Sequence, residues 1–478
     1  MFAMKRKLYS EMLDWKAKWA GQYSLMIEGA RRVGKSYIVE EFVRQEYAHS
    51  LIIDFASADK TVKQLFQDKL HNLDEFFMLL ETHLGVHLVR GESVIVFDEV
   101  QRFPRAREAI KYLVKDGRYQ YIETGSLVSL KKNVDKILIP SEEMKLKLHP
   151  MDFEEFLWAM GEETLMEIVR DHFQRGEPMG PILHRKAMDL FRQYLVVGGM
   201  PQAVEAFVNG RDLVAVEKAK RAILDLYQDD IGKFSGRLRH KTLAIWNGIP
   251  GALSAHEKRF RPSDVGTGLR MRELDSPFEW LKESMTVNVA YNATDPNTGF
   301  KMSEDRSALK CYMADTGLLI SHAFSENQAA LADIVKAILF GKLEVNKGMI
   351  IENAVAQMFR AVGQELYFHF NDDRKNALNK MEIDFVLTKS KVSSAHNVYP
   401  IEVKSNKEYS TTSLERFRTK FKRYIATPIV LHPKDLATKN GIRYLPLYMA
   451  PLVTEFEWQD IPVTISVLIR IILLRLVS

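Results

Sequence analysis

Cysteine is almost missing from this chain of 478 residues, where Cys311 stands alone. A disulfide within the chain is thereby excluded, and so is a metal site made of several thiolates. A reducing, cytoplasmic setting is the expectation. The opening "MFAMKRKLYSEMLDW" has basic residues but no apolar run behind them, so no signal peptide is expected. A membrane span needs about 20 predominantly apolar residues. The nearest match, residues 461–478, is broken by Pro462, Arg470 and Arg475 and reads as an apolar tail of unknown role, with no clear membrane partner. Low-complexity segments and internal repeats are missing as well. So is a strong excess of one charge: the net value of +5 permits a polyanionic partner without demanding one.

What is present suits a folded chain with a sizeable core: 46% hydrophobic and 27% charged residues, in a length that suggests about three domains. The first third alternates short apolar runs with helical spacing. "SLMIEGA" (24–30), "SLIIDFA" (50–56), "SVIVFDEV" (93–100) and "YQYIETGS" (119–126) read as strands, and "MKLKLHPMDF" (144–153) supplies one more. Continuous apolar strands separated by helices predict an α/β fold with a buried parallel sheet. Residues 152–234 read as helical, interrupted by "YLVVGGMPQAV", where Gly198, Gly199 and Pro201 force a turn.

"GARRVGKS" matches G-x-x-x-x-G-K-[ST] in full: Gly29, Ala30, Arg31, Arg32, Val33, Gly34, Lys35, Ser36. A strand precedes it and a helix follows. The two glycines let the backbone close round phosphates with its N–H groups inward, and the helix N-terminus favours the negative charge. Lys35 is placed to reach the β- and γ-phosphates and Ser36 to ligate magnesium, which makes ATP and Mg2+ the expected cofactors. The apolar strand ending in Asp98 and Glu99 looks like Walker B: Asp98 for the metal, Glu99 for the attacking water. Thr124 and Ser126 end the next strand, where a polar group senses the γ-phosphate or the water; the two stay open as candidates. Arg102, Arg105 and Arg107 follow Walker B and are read as surface residues, so no arginine finger is named.

Taken in order, "MIEGARRVGKS", "VIVFDEVQRFP", "ETGSL" and "LHPMDFEEFL" make the chain resemble the prokaryotic AAA+-type P-loop ATPases that carry a C-terminal domain of unknown function. The segments "YLVVGGMPQAV", "ALKCYMADTGLL" and "GMIIENAVAQMF" extend the resemblance to about residue 451. It implies ATP binding and hydrolysis, and a homo-oligomer as a possible state. The expected division is an ATPase core at 1–152, a helical region at 153–234, a winged-helix-like region at 235–330, a nuclease-like α/β domain at 331–458 and the tail at 459–478.

The nuclease expectation rests on two neighbouring strands. "KMEIDFVLTKS" puts Glu382 and Asp384 on one face, with Asp384 at mid-strand, and "YPIEVKS" does the same for Glu402 and Lys404. An Asp followed by Glu-x-Lys on adjacent strands is the core of the PD-(D/E)xK pattern. Asp384 and Glu402 would supply hard oxygen ligands to magnesium, Lys404 would position the water, and Glu352 in "IIENAVAQ" resembles the extra helical acid. The competing reading is a half-exposed strand edge whose carboxylates pair with Arg or Lys. In the middle region Arg259, Arg261, Arg270 and Arg272 are candidates for DNA phosphates or for a solvated face. His149, His184, His240 and His256 lack ligand spacing and read as structural. The function expected is therefore a magnesium-dependent ATPase whose C-terminal part contacts DNA and cleaves it. The alternatives are an ATP-gated switch that binds nucleic acid or protein without cleavage, and a signalling or defence ATPase that assembles without DNA.

Overall fold

The apolar runs of the first third form strands, of which the three central ones are buried on both faces and the two edge ones on one. In the computed structural model, which describes residues 4–125, 141–234, 238–255, 257–296, 299–344, 346–373, 376, 379–388 and 397–455, these are β1 (Ser24–Gly29), β2 (Ser50–Asp54), β3 (Val94–Asp98), β4 (Gln120–Gly125) and β5 (Glu143–Leu148). Their order is β2-β3-β4-β1-β5 and every pairing is parallel. Alternation along β1 sends Met26 to one side and Leu25 and Ile27 to the other. One side is an aromatic layer of Phe55, Phe66, Phe76 and Phe97. The other packs Ile38, Val39 and Phe42 of the helix Lys35–Glu46, together with Trp15, onto the sheet. Removing such a side chain costs about 3–5 kcal/mol for Phe→Ala, so the strand ends that carry the motifs are held on a stiff platform.

The chain forms two compact units. The first comprises Met1–Ala159, Val197–Asn247 and Val265–Val287. Besides the parallel sheet it contains the helices Pro201–Gly210 and Leu213–Phe234. The turn before the first of these touches the end of β5 so closely that a Cβ on Gly199 would lie 2.0 Å from the Met151 carbonyl oxygen. Met151 N–H donates to the Gly199 carbonyl at 2.7 Å, so glycine here is required by close approach.

The second unit comprises Met160–Val196, Gly248–Asp264 and Asn288–Ser478. One sheet has the order β7-β6-β8-β9, with β6 (Val287–Ala293), β7 (Glu304–Met313), β8 (Leu366–Asn371) and β9 (Met381–Ile383). A second has the order β10-β11-β12-β14-β13, with β10 (Phe385–Thr388), β11 (Val398–Val403), β12 (Ile429–His432), β13 (Ala437–Lys439) and β14 (Ile442–Pro446). The helix Asp275–Glu283 precedes β6 in the chain, and β6 and β7 share a sheet with β8 and β9. A boundary at residue 331 therefore cuts through one sheet. Asp384 lies at the bend between β9 and β10 rather than at mid-strand, because the chain changes sheet there. The tail at 459–478 and Ser126 lie outside the described residues. Among the described residues no helix is long and apolar enough to cross a membrane.

Two histidines of the second unit are sealed in. His369 sits against Phe417 and Phe421 with one ring nitrogen 2.7 Å from the Ala293 carbonyl oxygen, and His432 is 2.7 Å from the Tyr409 hydroxyl. Burial pushes both imidazoles from 6.5 down to about 4. Between those values the unfolded chain binds protons that the folded one does not, so stability falls as the pH drops from 6.5 towards 4. The urea midpoint of the protein, followed by circular dichroism, should fall across this window. The fall should be shallower in the His369→Gln, His432→Gln double variant; equal slopes would show that these groups do not govern it.

Candidate functional site

The strand-to-helix turn after β1 is shaped by two glycines for different reasons. A Cβ on Gly29 would stand 2.6 Å from the Leu148 carbonyl oxygen and 2.9 Å from Val33 Cγ1. Gly34 has φ 99°, which side chains rarely adopt. Arg32 between them is also left-handed, at φ 64°. The loop so formed borders a cavity of about 500 Å³ that Lys35, Ser36 and Glu99 also line, within the usual range of ligand pockets.

Lys35 is only 6% exposed. Its ammonium donates to the carbonyls of Gly29 at 3.0 Å and Ala30 at 2.9 Å. Burial pushes it down to about 8, against the pull of Glu99 and Asp98. Two neutral carbonyls thus take two of its three hydrogens, and an anion in the loop would add counter-charge to that of Glu99 and Asp98. Ser36 donates its hydroxyl to Asp98, 3.1 and 3.0 Å from the two carboxylate oxygens. Thr124 Oγ1 donates to Asp98 and accepts from the Glu99 backbone N–H at 3.2 Å. Gln101 holds the Glu99 carboxylate, and Glu99 itself has φ 52°. The sequence candidates Lys35, Ser36, Asp98, Glu99 and Thr124 therefore meet at one place. Ala30, Arg31 and Val33 lie in the loop by backbone position. Donor chemistry of this kind, a hydroxyl beside a carboxylate and a buried ammonium beside open loop amides, fits a magnesium nucleotide.

Several residues of this place went unmarked in the sequence. Arg6 is 3% exposed at its side chain and donates to the Val33 carbonyl at 3.0 Å, to the His149 carbonyl at 2.6 Å and to Glu155 at 3.1 Å. This is why "LHPMDFEEFL" accompanies the loop: its carbonyl and carboxylate groups hold the arginine that holds the loop. Pro201, Gln202 and Glu205 line the cavity from the helix Pro201–Gly210. Arg31 forms an ion pair with Asp230 at 2.7 Å, and the Tyr227 hydroxyl donates to the Arg31 carbonyl at 2.9 Å. Only the Gly-Gly-x-Pro turn hinted at this wall. Arg107, read as a surface residue, is buried and clamps Glu143 through two contacts of 3.0 and 2.9 Å.

The matches to known proteins agree with this geometry. Residues 22–157 match the model of an AAA domain. The N-terminal domain is an AAA-type P-loop ATPase domain. Residues 188–329 and 347–449 each match a domain of unknown function, DUF8612 and DUF4143. No curated protein matches the chain. Similar solved structures include the Walker-type ATPase paby2304 of Pyrococcus abyssi, 15% identical over 67% of this chain and 96% of that one, with a TM-score of 0.38. Others are Cdc6p from Pyrobaculum aerophilum (13%, 72% and 97%, TM-score 0.26) and AMPPCP-bound DnaA from Aquifex aeolicus (10%, 59% and 78%, TM-score 0.26). The domain assignment rests on the matched model, the strand order and the loop, not on these likenesses.

The C-terminal candidates are arranged differently from the expectation. Glu352, on the helix Lys347–Ala361, is 1% exposed. Its Oε1 accepts from Lys310 at 3.1 Å and Tyr312 at 2.7 Å, and its Oε2 from Lys258. Burial opposes its ionisation, but Lys258 and Lys310 outweigh this and hold the carboxyl down to about 2. Asp384 accepts from the Val403 N–H at 2.8 Å through one oxygen and faces Lys310 at 3.5 Å through the other. Glu402 is 2% exposed and pairs with Lys404 at 2.7 Å. Among the described residues no three of His, Cys, Asp or Glu are grouped as metal ligands. The set Glu352, Asp384 and Glu402 is not gathered round a magnesium-sized point: Lys258, Lys310 and Tyr312 take both oxygens of Glu352, the Val403 N–H takes one of Asp384, and Glu402 pairs with Lys404.

A Gly199→Ala substitution tests whether the turn positions the cavity wall. The added methyl must displace the Met151 backbone, at about 1–3 kcal/mol or more. Thermal melting should show the lower stability, and nucleotide titration a weaker binding; unchanged values in both would mean the turn yields freely.

Proposed function

We propose that the protein is a magnesium-dependent ATP hydrolase acting as a switch, whose part beyond residue 152 binds a nucleic-acid or protein partner without cutting it. The observation that carries the first half is a cavity of about 500 Å³ lined by Lys35, Ser36 and Glu99, with Asp98 and Thr124 hydrogen-bonded behind Ser36. Ser36 and Asp98 would hold magnesium, which supplies charge neutralisation across the β- and γ-phosphates. Lys35 exchanges neutral carbonyl partners for phosphate oxygens and regains a counter-charge. Glu99 accepts the proton of the attacking water. Thr124 keeps the Asp98 carboxylate and the Glu99 backbone in register with each other. Gly29, Ala30, Arg31, Arg32, Val33 and Gly34 wrap the phosphates.

For the second half, the choice against cleavage follows from the amine partners of Glu352, Asp384 and Glu402. DNA remains a candidate partner. Arg259 and Arg261 both pair with Glu257, at 2.8 and 2.9 Å, whereas Arg270 and Arg272 are exposed. Contacts to phosphates would make binding stronger at low salt.

Lys35→Ala should abolish ATP binding, and turnover at the parental rate would sink the assignment. Glu99→Gln should keep ATP binding while hydrolysis falls roughly 10²-fold or more, measured as phosphate release. Charge reversal at Arg270 and Arg272 should weaken DNA retention in a gel shift at low salt; binding that survives it would move the partner to another surface or class.

A further inference from the structure

The strand β7 carries two residues that neither the sequence reading nor the ATPase chemistry uses. Lys310 and Tyr312 stand two apart, so they share a face. Both are fully buried. An ammonium in such a place is costly unless oxygens meet it. Here three carboxylates do so, each from a different segment. Glu352 comes from the helix Lys347–Ala361 at 3.1 Å, Glu382 from β9 at 2.9 Å and Asp384 from the bend after it at 3.5 Å. An ammonium has three hydrogens to give, one for each acid. The Phe368 ring lies 5.2 Å away on a further side. Lys258 neutralises the remaining oxygen of Glu352, and its segment is tied to β7 by the Phe260 N–H donating to the Leu309 carbonyl at 2.9 Å.

We infer that Lys310 is the resident cation of Glu352, Glu382 and Asp384, and that it keeps a divalent ion out of the space between Glu352 and Asp384. Magnesium or calcium needs oxygens at about 2.0–2.6 Å. Any ion that close to Glu352 and Asp384 would lie within a few ångströms of an ammonium that cannot leave, since Lys310 is 0% exposed at its side chain. At that range two like charges repel strongly in a medium of low dielectric constant. The acids are thus retained for assembly: a strand, a helix and the bend between two sheets are drawn together by one amine. Unlike a metal, that amine is covalently fixed, so the cluster persists whatever the divalent ion concentration. This inference stands independently of the ATPase reading.

Manganese alone serves as the probe, because its binding is counted directly by electron paramagnetic resonance. Full-length nucleotide-free protein is titrated as wild type, Asp384→Asn, Lys310→Ala and the Lys310→Ala, Asp384→Asn pair. Wild type and Asp384→Asn should bind the same amount, any sites elsewhere being common to both. Lys310→Ala should melt lower by roughly 10 °C, bind one further Mn2+ per chain and recover melting temperature as Mn2+ is added. The double variant should lose that extra ion. If Asp384→Asn binds one ion fewer than wild type, a metal coexists with Lys310 and the inference fails. A folded Lys310→Ala protein that gains no ion would also overturn it. Should Lys310→Ala not fold at all, the comparison of wild type with Asp384→Asn decides by itself.

Discussion

A buried ammonium must be met by oxygen, and each unit of this protein is organised round one such group. Lys35 and Lys310 are both sealed from solvent, yet their surroundings push them in opposite directions. Burial lowers the hold of Lys35 on its proton, and only backbone carbonyls accept its hydrogen bonds at 3.0 and 2.9 Å. Carboxylates meet Lys310, and although burial works against its charge they raise its proton affinity well above the ordinary lysine value. The first arrangement is stable only to a point and gains from an incoming anion. In the second the ammonium already has its counter-charges within the fold. That contrast separates a site built to bind from one built to hold.

The front arrangement depends on supports that lie outside its motif. The loop can close because Gly29 passes under the Leu148 carbonyl, and it stays closed because Arg6 bridges Val33, His149 and Glu155. Thr124 then links Asp98 to the Glu99 backbone, so the two acidic residues of β3 cannot drift independently. Positioning of this kind is where phosphoryl transfer gains most of its rate, since the protein contributes placement and charge rather than covalent chemistry. The Arg31–Asp230 pair and the Tyr227 hydroxyl bring the helix Leu213–Phe234 to the same loop. Phosphates that compete for Arg31 would therefore be felt on that helix.

The back arrangement shows how a catalytic pattern and a structural one share residue types. Acidic residues on alternate strand positions serve metal binding or amine binding equally well, and only the identity of the group at their centre distinguishes the two. Here that group comes from β7, which lies more than seventy residues before Asp384 in the chain.

The sequence by itself determined the parallel sheet, the phosphate loop and the acidic strand end, because those depend on local periodicity and on contiguous residues: Gly29 to Ser36, then Asp98 and Glu99. Thr124 was legible for the same reason, at the end of a recognisable strand. The roles of Arg6, Pro201, Gln202 and Arg107 were not, since each acts on a neighbour that is remote in the chain. Glu352, Asp384 and Glu402 were legible as buried or strand-borne acids, with an Arg- or Lys-paired strand edge as the competing reading, but the amines they face were not. Their pairing with Lys310, Lys258 and Lys404 was decided by the tertiary structure alone, because a carboxylate carries no local mark of whether metal or ammonium will face it.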